Sequence, residues 1–157
     1  MAIEIERKFL VDQQKWIAQE KPEGLFCAQA YLVNEKERNV RVRVLGDKGY
    51  FTIKYRLSNI SRKEFEYEIP ADEALEMIQM SETGPIEKHR YYIREDGHLW
   101  EVDVFSGANK GLIVAEIELT SEHQSFTKPD WLGAEVTEDP RYYNASLQKL
   151  PYSLWND

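Results

Sequence analysis

Seven stretches of this chain put an ionisable side chain at nearly every second position and an apolar one between, and that period of two constrains the fold more than any other feature. Ile3, Ile5 and Phe9 alternate with Glu4, Glu6 and Lys8; Val40, Val42 and Val44 with Arg41 and Arg43; Phe51, Ile53 and Tyr55 with Thr52, Lys54 and Arg56. Phe65, Tyr67 and Ile69 alternate with Glu64, Glu66 and Glu68. Tyr91 and Ile93 oppose Lys88, Arg90 and Arg94; Trp100, Val102 and Val104 oppose Glu101 and Asp103; Ile113, Ala115, Ile117 and Leu119 oppose Glu116 and Glu118. Side chains on a strand point alternately to its two faces, so each stretch reads as a strand with one apolar and one charged face. With 28–33 added, about eight strands are predicted. Gly46-Asp47-Lys48-Gly49 and Asp96-Gly97 supply the positive backbone angles of tight hairpins, which favours antiparallel pairing. Helical spacing is short and sparse: 12–19, 72–80, 121–126, and 140–150, the last with Asp139 placed to cap it and Pro140 at its first position.

One charged face is the ordinary solvated side of an antiparallel sheet. Seven together, with Arg62 in the same register and few neutral polar residues, are not ordinary. Acids gather on the first, fifth, seventh and eighth strands, and bases on the third, fourth and sixth. Eight antiparallel strands can close into a barrel. An inward apolar face would leave the helices little to cover, whereas an inward charged face gives the helices an apolar exterior and makes the lumen a charged tunnel. The predicted class is therefore α+β, mainly β: an eight-stranded antiparallel closed barrel with a charged lumen and a few helices packed outside, as a single unit over 1–157. A lumen of both signs suits a ligand of both signs, a metal-bound polyphosphate. The acidic set offers only oxygen, with His89, His98, His123 and Cys27 off the charged register, which favours Mg²⁺ or Mn²⁺ over zinc.

Composition narrows the partners. Lys and Arg number 20 against 28 Asp and Glu, a net charge of −8, which argues against nucleic acid or an anionic membrane as partner. One cysteine, Cys27, excludes an internal disulfide framework and reads as a small buried filler. No run approaches the roughly 20 apolar residues of a transmembrane helix, and residues 1–11 alternate charge with hydrophobicity, so a cytoplasmic protein is expected. The histidines read as surface or turn residues, and Trp16, Trp100, Trp131 and Trp155 as packing residues.

The charged register carries a family resemblance. Glu4-Ile5-Glu6-Arg7-Lys8 resembles the E-x-E-x-K signature of the CYTH superfamily, the triphosphate tunnel metalloenzymes. The likeness continues through Gln29-Ala30-Tyr31-Leu32, Arg41-Val42-Arg43, Thr52-Ile53-Lys54, Arg62-Lys63-Glu64-Phe65-Glu66 and Glu87-Lys88-His89-Arg90-Tyr91. It runs on through Glu101-Val102-Asp103-Val104-Phe105, Glu116-Ile117-Glu118, Glu135-Val136-Thr137 and Arg141-Tyr142. The resemblance implies an eight-stranded tunnel that hydrolyses inorganic triphosphate to pyrophosphate and phosphate, as in the short bacterial branch. It implies Glu4, Glu6, Glu116 and Glu118 as metal ligands, with Glu64, Glu66 and Asp103 as further acidic lining. Lys8, Arg41, Arg43, Lys54, Lys88 and Arg90 would grip phosphate, and Tyr31 with Lys54 would tune catalysis, although Tyr31 reads equally as a packed aromatic. Glu68 and Glu101 are expected near a tunnel mouth. Thiamine or nucleoside triphosphate hydrolysis, class IV adenylate cyclisation and a noncatalytic polyphosphate-binding module remain as rival readings. A homodimer is carried as an expectation.

Overall fold

A computed structural model describes residues 2–82 and 84–155; the outer ends of the expected 1–157 unit lie outside the described residues. The alternating stretches are strands: β1 (Ala2–Val11), β2 (Leu25–Asn34), β3 (Arg38–Leu45), β4 (Lys48–Arg56), β5 (Ser61–Ile69), β6 (Ile86–Glu95), β7 (His98–Phe105) and β8 (Ile113–Glu118). They pair antiparallel in the order β5-β4-β3-β2-β6-β7-β8-β1, and β1 pairs back onto β5, so the eight strands close into a barrel. Closure rests on β1, whose Ile5 lies opposite Ser61 of β5 while Glu6 lies opposite Glu118 of β8. The register sets like faces side by side: Arg41, Thr52 and Glu66 form one inward row, and Lys54 with Glu64 another. Arg90 lies opposite Asp103, and Glu101 opposite Glu116.

The apolar face looks outward and is covered by two helices, as the alternation requires. In α1 (Gln13–Ala18) the Asp12 side chain accepts a hydrogen bond from Lys15 N–H at 3.1 Å, capping the first turn. Trp16 then joins Phe9, Trp100 and Trp131 in the larger outer cluster. The other outer helix, α2 (Ala71–Gln79), lays Ala74 and Ile78 over Ala28, Ala30, Val42 and Val44.

A third helix, α3 (Asn144–Lys149), sits elsewhere. Its Leu147 packs against Tyr31, Ile86, Phe105, Leu112 and Val114. Four of these share the inward register of Gln29, Lys88, Asp103 and Glu116, so the lumen is charged over most of its length and plugged by an apolar collar at one end. The helix expected over 140–150 is divided: a 3-10 turn at 140–142, with Asp139 accepting from Arg141 N–H at 3.1 Å, is separated from α3 by Tyr143 in extended conformation.

Residues 121–126, expected as a helix, form a turn instead. The Gln124 side chain accepts hydrogen bonds from the N–H and Oγ1 of Thr120, and Phe126 packs on Phe9 and Trp100. A ninth strand not visible in the alternation, β9 (Leu132–Glu135), pairs with the far half of β1 beyond the reach of β5. Cys27 is fully buried, as expected of a filler, but stands opposite Lys88 and so shares the inward register rather than lying off it. The reason is that Cys27 stands two residues before Gln29 and four before Tyr31 on β2, and both of these lie opposite inward arginines of β3. His89 and His98 lie on the outer face against Phe26 and Phe126, His123 is exposed, and Trp155 packs on Tyr142 and Tyr152.

Close approach of α2 to the barrel depends on Gly49, where a Cβ would stand 2.9 Å from both the Ala74 Cβ and the Ile69 carbonyl oxygen. Gly49→Ala should therefore cost about 1–3 kcal/mol in urea denaturation by forcing α2 outward. Gly84→Ala, where nothing lies within 4 Å, should stay within about 0.5 kcal/mol of wild type.

Candidate functional site

The lumen holds a cavity of about 740 Å³. Its wall is built by the inward residues of the strands: Glu4, Glu6 and Lys8 from β1, Tyr31 from β2, Arg41 and Arg43 from β3, Lys54 from β4, Glu64 and Glu66 from β5, Arg90 from β6, Glu101 from β7, and Glu116 and Glu118 from β8. The strand period of two brings these residues, scattered over more than a hundred positions, onto one concave surface. Two residues expected at the site are not brought to it. Lys88 and Asp103 are almost fully buried and bind each other at 2.7 Å, and neither lines the cavity. Glu68, expected near a mouth with Glu101, is exposed outside the lining.

Charge pairs organise the wall. Lys8 Nζ donates to Glu116 at 2.9 Å, and Lys54 Nζ donates to Glu4 at 2.9 Å with Glu64 Oε2 at 3.4 Å. Asp103 takes two hydrogen bonds from Arg90, at 2.8 and 3.0 Å, besides that from Lys88. Although burial works against its charge, Arg90 and Lys88 hold Asp103 down at about 2. Arg90 is thereby fixed, with its remaining nitrogen 3.6 Å from Glu101.

Arg41 and Arg43 are less well matched. Both are buried, Glu66 is the carboxylate each reaches, at 3.6 and 3.7 Å, Arg41 adds a long hydrogen bond to Thr52 Oγ1 at 3.5 Å, and the Nε of each has no hydrogen-bond acceptor. Burial, together with the positive charges of Arg41 and Arg90, pushes the Arg43 guanidinium below its ordinary value. Positive charge is in local excess here, which an incoming anion would relieve.

The acids divide in the same way. Glu116 is held well below the usual carboxylate range by Lys8, Arg90 and Lys88 in spite of its burial. Glu6 is driven well up by burial and by Glu116 and Glu4, Glu4 is raised by burial and by Glu64, and Glu118 by burial with Glu4, Glu101 and Glu64 around it. Crowding and burial thus raise the proton affinity of these carboxylates, and a cation between them would relieve the repulsion. As they stand, no three acidic, His or Cys side chains among the described residues converge into a closed coordination shell, because Lys54 occupies the space between Glu4 and Glu64. The donor chemistry nonetheless fits a hard cation: Glu64 Oε2 is buried without a hydrogen bond, and the lining carries no imidazole or thiol.

Tyr31 lines the cavity, with its backbone N–H held by Gln148 of α3 at 2.7 Å. On the facing rows Tyr31 lies opposite Arg41, while Lys54 is engaged by Glu4. Sequence reasoning missed the contribution of the C-terminal segment. Thr137 Oγ1 accepts from Lys8 N–H at 2.9 Å, Tyr143 Oη donates to the Thr137 carbonyl at 2.8 Å, and the Tyr143 ring lies 5.8 Å from Lys8 Nζ. The motif 135–137 points to this segment, but only the pairing of β9 with β1 reveals that it clamps Lys8. Lys36, Asn59 and Lys149, from loops and α3, also line the cavity, as does Asn39 of β3 beside Lys54; loop residues carry no periodicity that would have announced them.

Comparison with known proteins agrees with this geometry. The profile of the CYTH domain matches residues 2–152. A protein of Acetivibrio thermocellus named inorganic triphosphatase is 49% identical over 158 residues, covering 100% of each chain. One of Nitrosomonas europaea with the same name is 37% identical over 152 residues, covering 92% of this chain and 95% of its own. A crystal structure named as an inorganic triphosphatase superposes with a TM-score of 0.65 at 34% identity, covering 94% of this chain and 95% of that one.

The Lys88–Asp103–Arg90 cluster makes two claims on stability. Asp103→Asn should destabilise the fold by about 3–5 kcal/mol, because it leaves two buried cations without their shared anion. The Asp103 carboxyl is depressed from 3.8 to about 2, so its contribution is present above the unfolded value and lost as pH falls between these two values. Urea denaturation should show wild type losing stability across that window and the variant losing less.

Proposed function

The chain belongs to the CYTH-domain family, and on that premise we propose that it is a metal-dependent hydrolase that splits inorganic triphosphate into pyrophosphate and phosphate within the lumen. The observation that carries the reading is the pair Arg41 and Arg43: buried, facing the cavity, sharing one distant carboxylate, and each with an unpartnered Nε. Buried guanidinium groups with donors to spare are what a chain of phosphoryl oxygens requires, since each planar fork can bond two oxygens of one phosphate.

The other residues take their roles from their pairings. Lys8 and Lys54 are held by Glu116 and Glu4 and can exchange these for phosphate oxygens without losing their charge, because their neighbours keep both ammonium groups above their ordinary values despite burial. Glu4, Glu6, Glu64 and Glu118 would hold the cation, Mg²⁺ or Mn²⁺, with Glu116 and Glu66 at the border between the acidic and basic walls. When bound, that cation supplies charge neutralisation and an acidified water for attack on phosphorus. Arg41, Arg43 and Arg90 stabilise the charge that accumulates on the leaving pyrophosphate. Asp103 and Lys88 enter this reading as supports of Arg90 rather than as ligands of metal or substrate. Tyr31 lies at the base of the cavity, where it fixes the position of the polyanion beside Lys8 and Arg41. The substrate is a small soluble anion, and no helix among the described residues is long and apolar enough to cross a membrane. A cytoplasmic location is part of the proposal.

The test is phosphate release from triphosphate, ATP, thiamine triphosphate and pyrophosphate, over a magnesium titration and in excess EDTA. Turnover should be greatest on triphosphate, nearly absent on pyrophosphate and abolished by EDTA. Arg43→Ala should raise KM by about ten- to a hundredfold, since a charge-assisted contact contributes about 1.5–3 kcal/mol. Glu6→Gln should leave KM within about an order of magnitude but raise the magnesium requirement. Lys63→Ala, on the outward register of β5, should change neither parameter by more than about twofold. Full turnover in EDTA, or a cyclic nucleotide as the product from ATP, would overturn the reading.

A further inference from the structure

The barrel wall is weakest where β2 carries Tyr31. β2 pairs with β6 only as far as Gln29, which lies opposite Ile86, so two residues further on, at Tyr31, the edge facing β6 has no strand partner among the described residues. On its other side β2 pairs with β3, but the register shifts directly after Tyr31: Tyr31 lies opposite Arg41 and Val33 opposite Val40, with Leu32 left over. A bulge of this kind bends the strand and re-aims the side chains beside it. Neither neighbouring strand therefore fixes the direction in which Tyr31 enters the cavity that it lines.

A side chain of α3 takes the place of the missing strand. Gln148 Oε1 accepts from the Tyr31 N–H at 2.7 Å, and Gln148 Nε2 donates to the Tyr31 carbonyl at 3.3 Å. These are the two bonds that a residue of a paired antiparallel strand would make. The residue before it, Leu147, belongs to the collar around the Tyr31 side chain. Further along β2, Asn34 Nδ2 donates to the Ala145 carbonyl at 2.8 Å and Lys149 Nζ to the Asn34 carbonyl at 3.1 Å, so α3 is fastened to β2 beyond the bulge as well. Gln148 itself does not line the cavity, so any effect it has on a ligand there passes through Tyr31. The facing Arg41 is one of the two buried guanidinium groups with an unpartnered Nε, and misplacing a group beside the reacting anion by about 1 Å can cost up to about a hundredfold in rate. We infer that Gln148 is a positioning residue: standing in for a strand, it sets the Tyr31 hydroxyl against the substrate and makes the reaction depend on the docking of α3. The inference rests on the reading of the lumen as a triphosphate site. An apolar side chain at 148 leaves the Tyr31 N–H and carbonyl without partners, and glutamate keeps the acceptor but loses the donor.

A double-mutant cycle of Gln148→Met with Tyr31→Phe, measured as phosphate release from triphosphate at saturating magnesium, separates positioning from mere support of the fold. Each single variant should lower kcat/KM about tenfold, and the double variant should fall no lower than about the value of Tyr31→Phe, because without the hydroxyl nothing is left for Gln148 to position. Gln148→Glu should lie between wild type and Gln148→Met, and it guards against misfolding of the latter. A readout free of turnover is the ¹³C signal of Tyr31 in protein labelled on its tyrosine rings, assigned by its loss in Tyr31→Phe. Gln148→Met should move that signal and leave those of Tyr55 and Tyr67, on the outward faces of β4 and β5, where they are. Losses that multiply to about a hundredfold, or a Tyr31 signal indifferent to Gln148→Met, would overturn the inference while leaving triphosphate hydrolysis standing. A wild type that releases no phosphate from triphosphate would overturn the reading of the lumen instead, and the Tyr31 signal alone would then decide whether Gln148 sets the ring.

Discussion

Burial of charge is the constraint on which the rest of this molecule depends. A barrel with ionisable groups on its inner face takes them out of water, and each isolated buried ion costs several kcal/mol. The lumen meets that constraint with local pairs, Lys8 with Glu116, Lys54 with Glu4, and Lys88 and Arg90 with Asp103. Where pairing is incomplete, the imbalance has a sign. Arg41 and Arg43 are left with excess positive charge, and Glu4, Glu6 and Glu118 are crowded acids whose proton affinity burial and mutual repulsion raise. A ligand combining polyanion and cation removes both imbalances at once, so the cost of building such a lumen becomes a source of binding free energy.

That arrangement demands a largely apolar exterior, because side chains alternate between the two faces of a strand. Most inward Arg and Glu residues have an outward apolar residue beside them, and those must be covered. Trp16 of α1 and Ala74 and Ile78 of α2 provide the cover over much of the barrel, and Gly49 lets α2 approach closely enough to do so. Fold and site are thus two consequences of one pattern: the residues that bind and the residues that hold the barrel together are neighbours in sequence on opposite faces.

This is why so much was legible in the sequence. The strands β1 to β8, the closed barrel, α1 and α2 all follow from local periodicity, and the lumen residues expected from the charged register, other than Glu68, Lys88, Arg94 and Asp103, line the cavity. What was not legible depends on distance rather than on period. Alternation tells that Lys88 and Asp103 point inward but not that they lie opposite nearby rows and consume each other's charge. β9 is a strand because β1 offers it a free edge beyond β5, not because four residues including Gly133 and Ala134 prefer extended backbone. Residues 121–126 form a turn, closed by the Gln124 N–H on the Ser121 carbonyl and by the Gln124 side chain, which accepts from the Thr120 N–H and hydroxyl, with Phe126 drawn onto Phe9 and Trp100 by tertiary packing. Tyr143 breaks the expected C-terminal helix, with its hydroxyl bonded to Thr137 and its ring beside Lys8.

The apolar collar at the α3 end gives the lumen a graded interior. Leu147, Tyr31, Phe105 and Val114 exclude water from that end, and Lys8, Arg41, Arg90 and Glu116 stand within one or two strand steps of the collar residues, each almost fully buried. Electrostatic interactions strengthen as the local dielectric falls, so pairs near the collar act more strongly than equivalent pairs near the mouth. Glu118 and Glu66, both exposed, hold the weaker positions. A phosphoryl chain lying along this gradient would have one end gripped in the dry, tightly paired region and the other near water. The same gradient separates tasks without a separate structural device: the deep basic groups bind through strong, screened-off contacts, and the shallower carboxylates stay accessible to an exchangeable hydrated cation.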